Sequence, residues 1–193
     1  MAISTDEIKK LRDMTGVSIM QCKKALEETG GDHEKALIIL RKRGGEVAAK
    51  KAGRTLGAGV VEAYVHTTGT VGALVLLSCE TDFVAKNDEF KSLARTIAMQ
   101  VTAMNPMYTR FEDVSDEEKA KAREVFAPEV KDKPKNMHEK ILSGKIVSYF
   151  ADQILLNQPL VKNQEMRVEE LLNEAIQKFG ERIEVSQFTR FIV

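Results

Sequence analysis

Two strand-like runs, residues 60–66 and 71–78, the second apolar up to Leu77, flank the polar tetrapeptide Thr67-Thr68-Gly69-Thr70. A connection of that length holds no crossover helix, so the spacing predicts an antiparallel β-hairpin. The second run leads straight into Ser78-Cys79-Glu80-Thr81-Asp82-Phe83-Val84-Ala85-Lys86, and a helical pattern begins soon after, near Asn87. Phe83 is therefore expected at a strand-to-helix corner, beside the acidic Asp82. Corners on a rigid scaffold are where proteins present side chains to partners. One ring and one carboxylate placed there form a wedge that can compete for packing sites and metal-linked hydrogen bonds in another protein.

The first 54 residues are set out by their helix punctuation. Ser4 and Glu7 have the spacing of a capping box, followed by Ile8, Leu11 and Thr15 and a stop at Gly16. Ser18 and Gln21 repeat the signal ahead of Cys22, Ala25, Leu26 and Thr29, up to Gly30. Asp32 caps a third pattern, Ala36, Leu37, Ile39 and Leu40, which Gly44-Gly45 is expected to end. Three short helices with tight turns predict a small bundle, similar to ubiquitin-associated domains. Those modules often bind through the turn between their first two helices, here residues 16–20. Ile19 and Met20 read either as core staple or as partner contact; Met suits adaptable surfaces.

Further along, Phe90, Leu93, Ile97 and Val101 predict a helix stopped at Asn105-Pro106. Ser115 opens another, with Asp116, Glu117 and Glu118 in its first turn. Residues 127–135 carry Pro128 and Pro134 and read as a connector. Residues 141–154 predict a longer amphipathic helix, broken at Gln158-Pro159. Val168, Leu171, Leu172, Ala175, Ile176 and Phe179 mark the last helix, ended by Gly180, and residues 182–193 a terminal strand that joins the hairpin. The expected class is α+β: a helical domain over residues 1–54, then a core over 55–193 with helices against one side of an antiparallel sheet.

Composition narrows the function. Lys and Arg total 29 and so do Asp and Glu, which disfavours binding nucleic acid through a wholly basic surface. A local basic cluster does exist: Arg41, Lys42, Arg43, Lys50, Lys51 and Arg54 face one acid, Glu46. It lacks interleaved aromatics, so it reads as a solvated linker or a basic face for an acidic partner, with an RNA- or ribosome-binding stripe as the alternative. No apolar run approaches the roughly 20 residues that span a bilayer. The N-terminal residues carry acids and no apolar export segment, and Cys22 and Cys79 fall in apolar patterns as reduced, buried thiols, so a cytoplasmic setting is expected. No glycine-rich phosphate loop, nucleophile elbow or metal-ligand spacing is present, and no cofactor is implied. Asp82, Asp88 and Glu89 could form an acid cluster, but carboxylates opening a helix are more simply dipole partners. His66, near the hairpin tip, reads as a polar strand end or as a contact residue.

Three blocks resemble the translation elongation factor Ts family: Leu11-Arg12-Asp13-Met14-Thr15-Gly16 with residues 20–26, Cys79 to Lys86, and the tail, Gln158-Pro159-Leu160-Val161 with Phe188-Thr189-Arg190-Phe191. Members exchange guanine nucleotide on elongation factor Tu. The resemblance implies that Thr81, Asp82, Phe83 and Val84 enter that GTPase near its magnesium site, with Asp82 and Phe83 as the intruding side chains. It assigns Leu11, Ile19 and Met20 to an N-terminal docking surface and His66, near Tyr64, to a second contact on the core sheet. Long members carry two core modules and often a coiled-coil insertion. This chain has room for one module, so a homodimer is expected. Another class remains beside the exchange factor and the RNA binder: a scaffold that uses Ile19 and Met20 to hold a helix or a ubiquitin-like surface.

Overall fold

The computed structural model describes residues 3–131 and 133–193; the reading of the extreme N-terminus at Met1 and Ala2, and Asp132 in the proline connector, lie outside the described residues. In order the elements are α1 (Thr5–Thr15), α2 (Ile19–Glu28), α3 (His33–Lys51), β1 (Ala58–Val65), β2 (Val71–Cys79), α4 (Asp82–Ala85), α5 (Asp88–Met104), α6 (Asp116–Phe126), α7 (His138–Phe150), β3 (Pro159–Leu160), β4 (Asn163–Arg167), α8 (Val168–Phe179) and β5 (Ile183–Ile192). The fold is α+β. Its three-stranded sheet has the order β1-β2-β5. The short hairpin makes β1 and β2 antiparallel, and β5 runs antiparallel to β2, since Ser186 bonds Ser78 while Val193 bonds Thr70.

The chain packs as two units. The first holds residues 1–62, 75–95 and 169–186. Its N-terminal bundle forms where the caps predict. Ser4 and Glu7 make a reciprocal capping box, and Gly16 ends α1 at a φ of 67°. Ser18 caps α2 through the Gln21 N–H, but the Gln21 amide oxygen accepts from Gln177 in α8 rather than closing a second box. Ile8, Leu11, Val17, Cys22, Ala25, Leu26, Ala36 and Leu40 make one buried cluster. The predicted stop at Gly44-Gly45 does not occur: α3 continues to Lys51. Gly44 is there for closeness, because a Cβ would lie 3.2 Å from the Asn173 carbonyl oxygen of α8. In the same unit Val75, Leu77 and Cys79 alternate inward along β2, and Phe90 meets Phe179 edge to face.

The second unit holds residues 63–74, 96–168 and 187–193. Its cluster is Val114, Ala122, Leu142, Ile146, Phe150 and Ile154, with Tyr108, Phe111 and Phe126 against it. α6 starts with a full capping box, Ser115 with Glu118. α7 stops at Phe150, short of the predicted Gln158-Pro159 break, because Met107 and Tyr108 donate to the Gln153 carbonyl and Leu155 to that of Tyr108. Gln100 is buried and fully used. Its amide nitrogen donates to Gln158 and to the Pro159 carbonyl, and its oxygen accepts from the Val161 N–H, which holds the β3–β4 ribbon that periodicity did not predict.

Candidate functional site

β2 reaches its last ladder position at Cys79, and side chains continue the pairing from there. The N–H groups of Glu80 and Thr81 both donate to Glu181 Oε2 at 3.0 Å, and the Thr81 hydroxyl donates to Glu181 Oε1 at 2.6 Å. In return Glu80 Oε1 accepts from the Arg182 N–H at 2.6 Å and from Arg54 Nη1 at 3.2 Å. Arg182 closes the group by donating to the Arg54 carbonyl and to Glu184. Two carboxylates thus take the place of strand carbonyls and satisfy backbone donors where the chain leaves the sheet. The Arg182 N–H, and after it Arg54, hold the Glu80 carboxyl below its ordinary range against the opposing effect of burial. Beneath them Cys79 donates to the Thr81 carbonyl at 3.2 Å. Burial, reinforced by the charge of Glu181, pushes that thiol up, away from the reactive thiolate.

From this base α4 makes a single turn that the sequence pattern, with its helix beginning near Asn87, does not anticipate. Val84 points in and is buried, while Phe83 is 82% exposed. Asp82 pairs with Lys86 at 2.6 Å, and that hydrogen bond, then the lysine charge, lowers its pKa. Ring and carboxylate therefore stand out side by side on a turn rooted by Val84 and clamped by Glu181. Asp88 and Glu89 do not join Asp82: Asp88 pairs with Lys91 and Glu89 with Lys178.

In the N-terminal bundle Ile19 and Met20 are 60% and 79% exposed at the start of α2. Leu11 is not with them. It is wholly buried in the bundle core, because it lies on the inward face of α1 with Ile8. His66 is exposed at the hairpin tip, where its Nδ1 lies 3.1 Å from the Thr68 hydroxyl. The linker reading of residues 41–54 is also corrected. Up to Lys51 they are helix, and Arg41 pairs with Glu174, Arg43 with Glu28, Lys51 with the Gly180 carbonyl and Arg54 with Glu80. The clamp residues Arg54, Glu181 and Arg182 carry no local signal; Glu181 and Arg182 meet Glu80 across 101 and 102 positions of chain and Arg54 meets it across 26, and only the folded sheet brings them together.

An aromatic ring and a carboxylate thus stand exposed on a braced turn, the kind of corner from which a binding protein presents side chains. The chain belongs to the elongation factor Ts family. The family described as "Elongation factor TS" matches residues 9–193. Among its relatives, the elongation factor Ts of Thermotoga petrophila is 53% identical over 191 residues, covering 99% of this chain and 96% of the relative. That of Thermotoga neapolitana is 50% identical, covering 100% and 98%, and that of Carboxydothermus hydrogenoformans is 50% identical, covering 98% and 88%. Among the described residues no helix is long and apolar enough to cross a membrane.

Proposed function

We propose that this protein is a guanine nucleotide exchange factor for elongation factor Tu in translation elongation. The exposure of Phe83 on the clamped turn carries the reading. A protein that binds the nucleotide-free GTPase more tightly than the GDP complex weakens GDP binding by the same factor. Phe83 enters between helices of the GTPase. Burying one such ring contributes roughly 1.5–3 kcal/mol, which corresponds to about one to two decades in GDP affinity. Asp82 perturbs the hydrogen bonds and water around the magnesium ion of the GTPase. To do so it leaves Lys86, an exposed partner that water readily replaces. No covalent step is involved.

Residues 1–54 serve as a docking domain through Ile19 and Met20, and residues 55–193 as the core, with His66 as a second contact. The protein works as a homodimer in the cytoplasm. The dimer reading is supported by Val65, Leu74, Phe191, Ile192 and Val193, which are exposed around one apolar depression of about 390 Å³. The test is direct. A small amount of the protein is added to elongation factor Tu loaded with fluorescent GDP in the presence of excess GTP. Faster loss of the signal is expected, and an unchanged release rate overturns the reading.

A further inference from the structure

Thr81 stands at the N-cap of α4, yet its side chain makes no cap hydrogen bond. Threonine at that position ordinarily accepts from an N–H in the first turn of its helix. Here the hydroxyl is committed elsewhere, to Glu181 Oε1 at 2.6 Å, while the amide of the same residue goes to Glu181 Oε2. The Thr81 carbonyl accepts from Cys79 Sγ and from the Ala85 N–H. Every polar atom of Thr81 is therefore engaged, and one carboxylate takes two of them as well as the Glu80 N–H. The helix forgoes its cap, and the turn that carries Asp82 and Phe83 is bound instead to the bend between α8 and β5.

We propose that Glu181 is a positioning residue for nucleotide exchange: its carboxylate fixes the direction in which Phe83 and Asp82 leave the sheet. The proposal rests on the exchange-factor reading. Glu181 does not enter the partner. Without it the turn still forms but samples several directions, and the ordering is lost from the binding step. Arg54 and Arg182 act one step back, since they hold Glu80, the other half of the reciprocal pair. Releasing about one residue from a fixed backbone conformation predicts a loss of roughly ten-fold in the exchange rate.

The test uses the full chain and four variants: Glu181→Ala, Glu181→Gln, Phe83→Ala and the double variant of Glu181→Ala with Phe83→Ala. Exchange on elongation factor Tu is measured beside amide hydrogen exchange by NMR. Glu181→Ala is expected to deprotect the Glu80 and Thr81 amides and slow exchange about ten-fold. Glu181→Gln, whose amide can still accept from both N–H groups, is expected to restore most of the rate. In the Phe83→Ala background the loss of Glu181 should have no further effect, because there is no ring left to aim. A role confined to global stability would instead lower the rate by the same factor in both backgrounds, and that result overturns the proposal. So does a wild-type rate in Glu181→Ala with the two amides deprotected. Inactivity of the wild-type chain removes the exchange reading and this proposal with it, whereas an active wild type with an indifferent Glu181→Ala removes this proposal alone. If Glu181→Ala does not fold, Thr81→Val decides: it keeps the branched shape, removes only the hydroxyl bond, and is expected to give a smaller loss of the same kind.

Discussion

Phe83 leaves most of its aromatic ring in water. Phe83→Ala is therefore expected to change unfolding free energy by no more than about 0.5 kcal/mol, as measured by urea denaturation. Tyr108 shows the opposite relation between a residue and its surroundings. Its hydroxyl donates to Glu118 at 2.5 Å, and that bond, then burial, pushes its pKa up to about 12. The neutral phenol is the form the fold favours. The unfolded chain ionises it near the ordinary value of about 10, so stability is expected to fall as pH rises from that value toward 12. A spectrophotometric titration should find one tyrosine ionising near 12, and Glu118→Gln should bring it down. At this scale the sequence was informative about chemistry and poor about facing. Phe83 and Met20 could be matched to exposed roles through their motifs. Leu11 sits in an equally recognisable block, but only the packing of three helices decides that its side chain points inward.

Elements were legible wherever a local rule governs them. Ser4, Ser18, Asp32 and Ser115 each cap the helix they were expected to open by accepting a first-turn N–H, and the hairpin and terminal strand fall close to their expected ranges. The misses are tertiary. Glycine is a poor helix former by about 1 kcal/mol, yet α3 runs through Gly44 and Gly45 because Gly44 lets α8 approach to backbone contact distance. The one-turn α4 is too short for a periodicity to reveal. The early end of α7 is set by hydrogen bonds between residues 153–156 and residues 107–109, far upstream in the chain. The glycine pair gives a clean comparison. A Cβ on Gly45 meets nothing closer than the Asn173 side-chain amide at 3.8 Å, whereas one on Gly44 meets the Asn173 backbone at 3.2 Å. Gly45→Ala is expected to gain most of the propensity difference, and Gly44→Ala to fall short of it by about 1 kcal/mol. Paired thermal unfolding curves measure the difference.

For the molecule as a whole, the basic run that could have met RNA is largely engaged within its own chain, since Arg41, Arg43 and Arg54 each have a carboxylate partner. That pairing could not be read from residues 41–54, because the acids lie in other segments. Deleting residues 1–54 would also remove Arg54 from Glu80, so point changes test docking more cleanly than truncation. Ile19→Ala with Met20→Ala is expected to weaken affinity for elongation factor Tu by one to two decades while leaving the melting temperature in place; calorimetry of both quantities decides. Light scattering should give the mass of two chains for the wild type and of one chain for Phe191→Asp, which puts a charge on the apolar sheet face. Centrally, a ring held out by a carboxylate clamp is proposed to open another protein's nucleotide pocket. Stopped-flow release of fluorescent GDP from elongation factor Tu, followed to saturation with the wild-type chain and with Phe83→Ala, tests it most directly. A plateau rate about ten- to a hundred-fold lower is expected for Phe83→Ala; superimposable saturation curves would contradict the wedge.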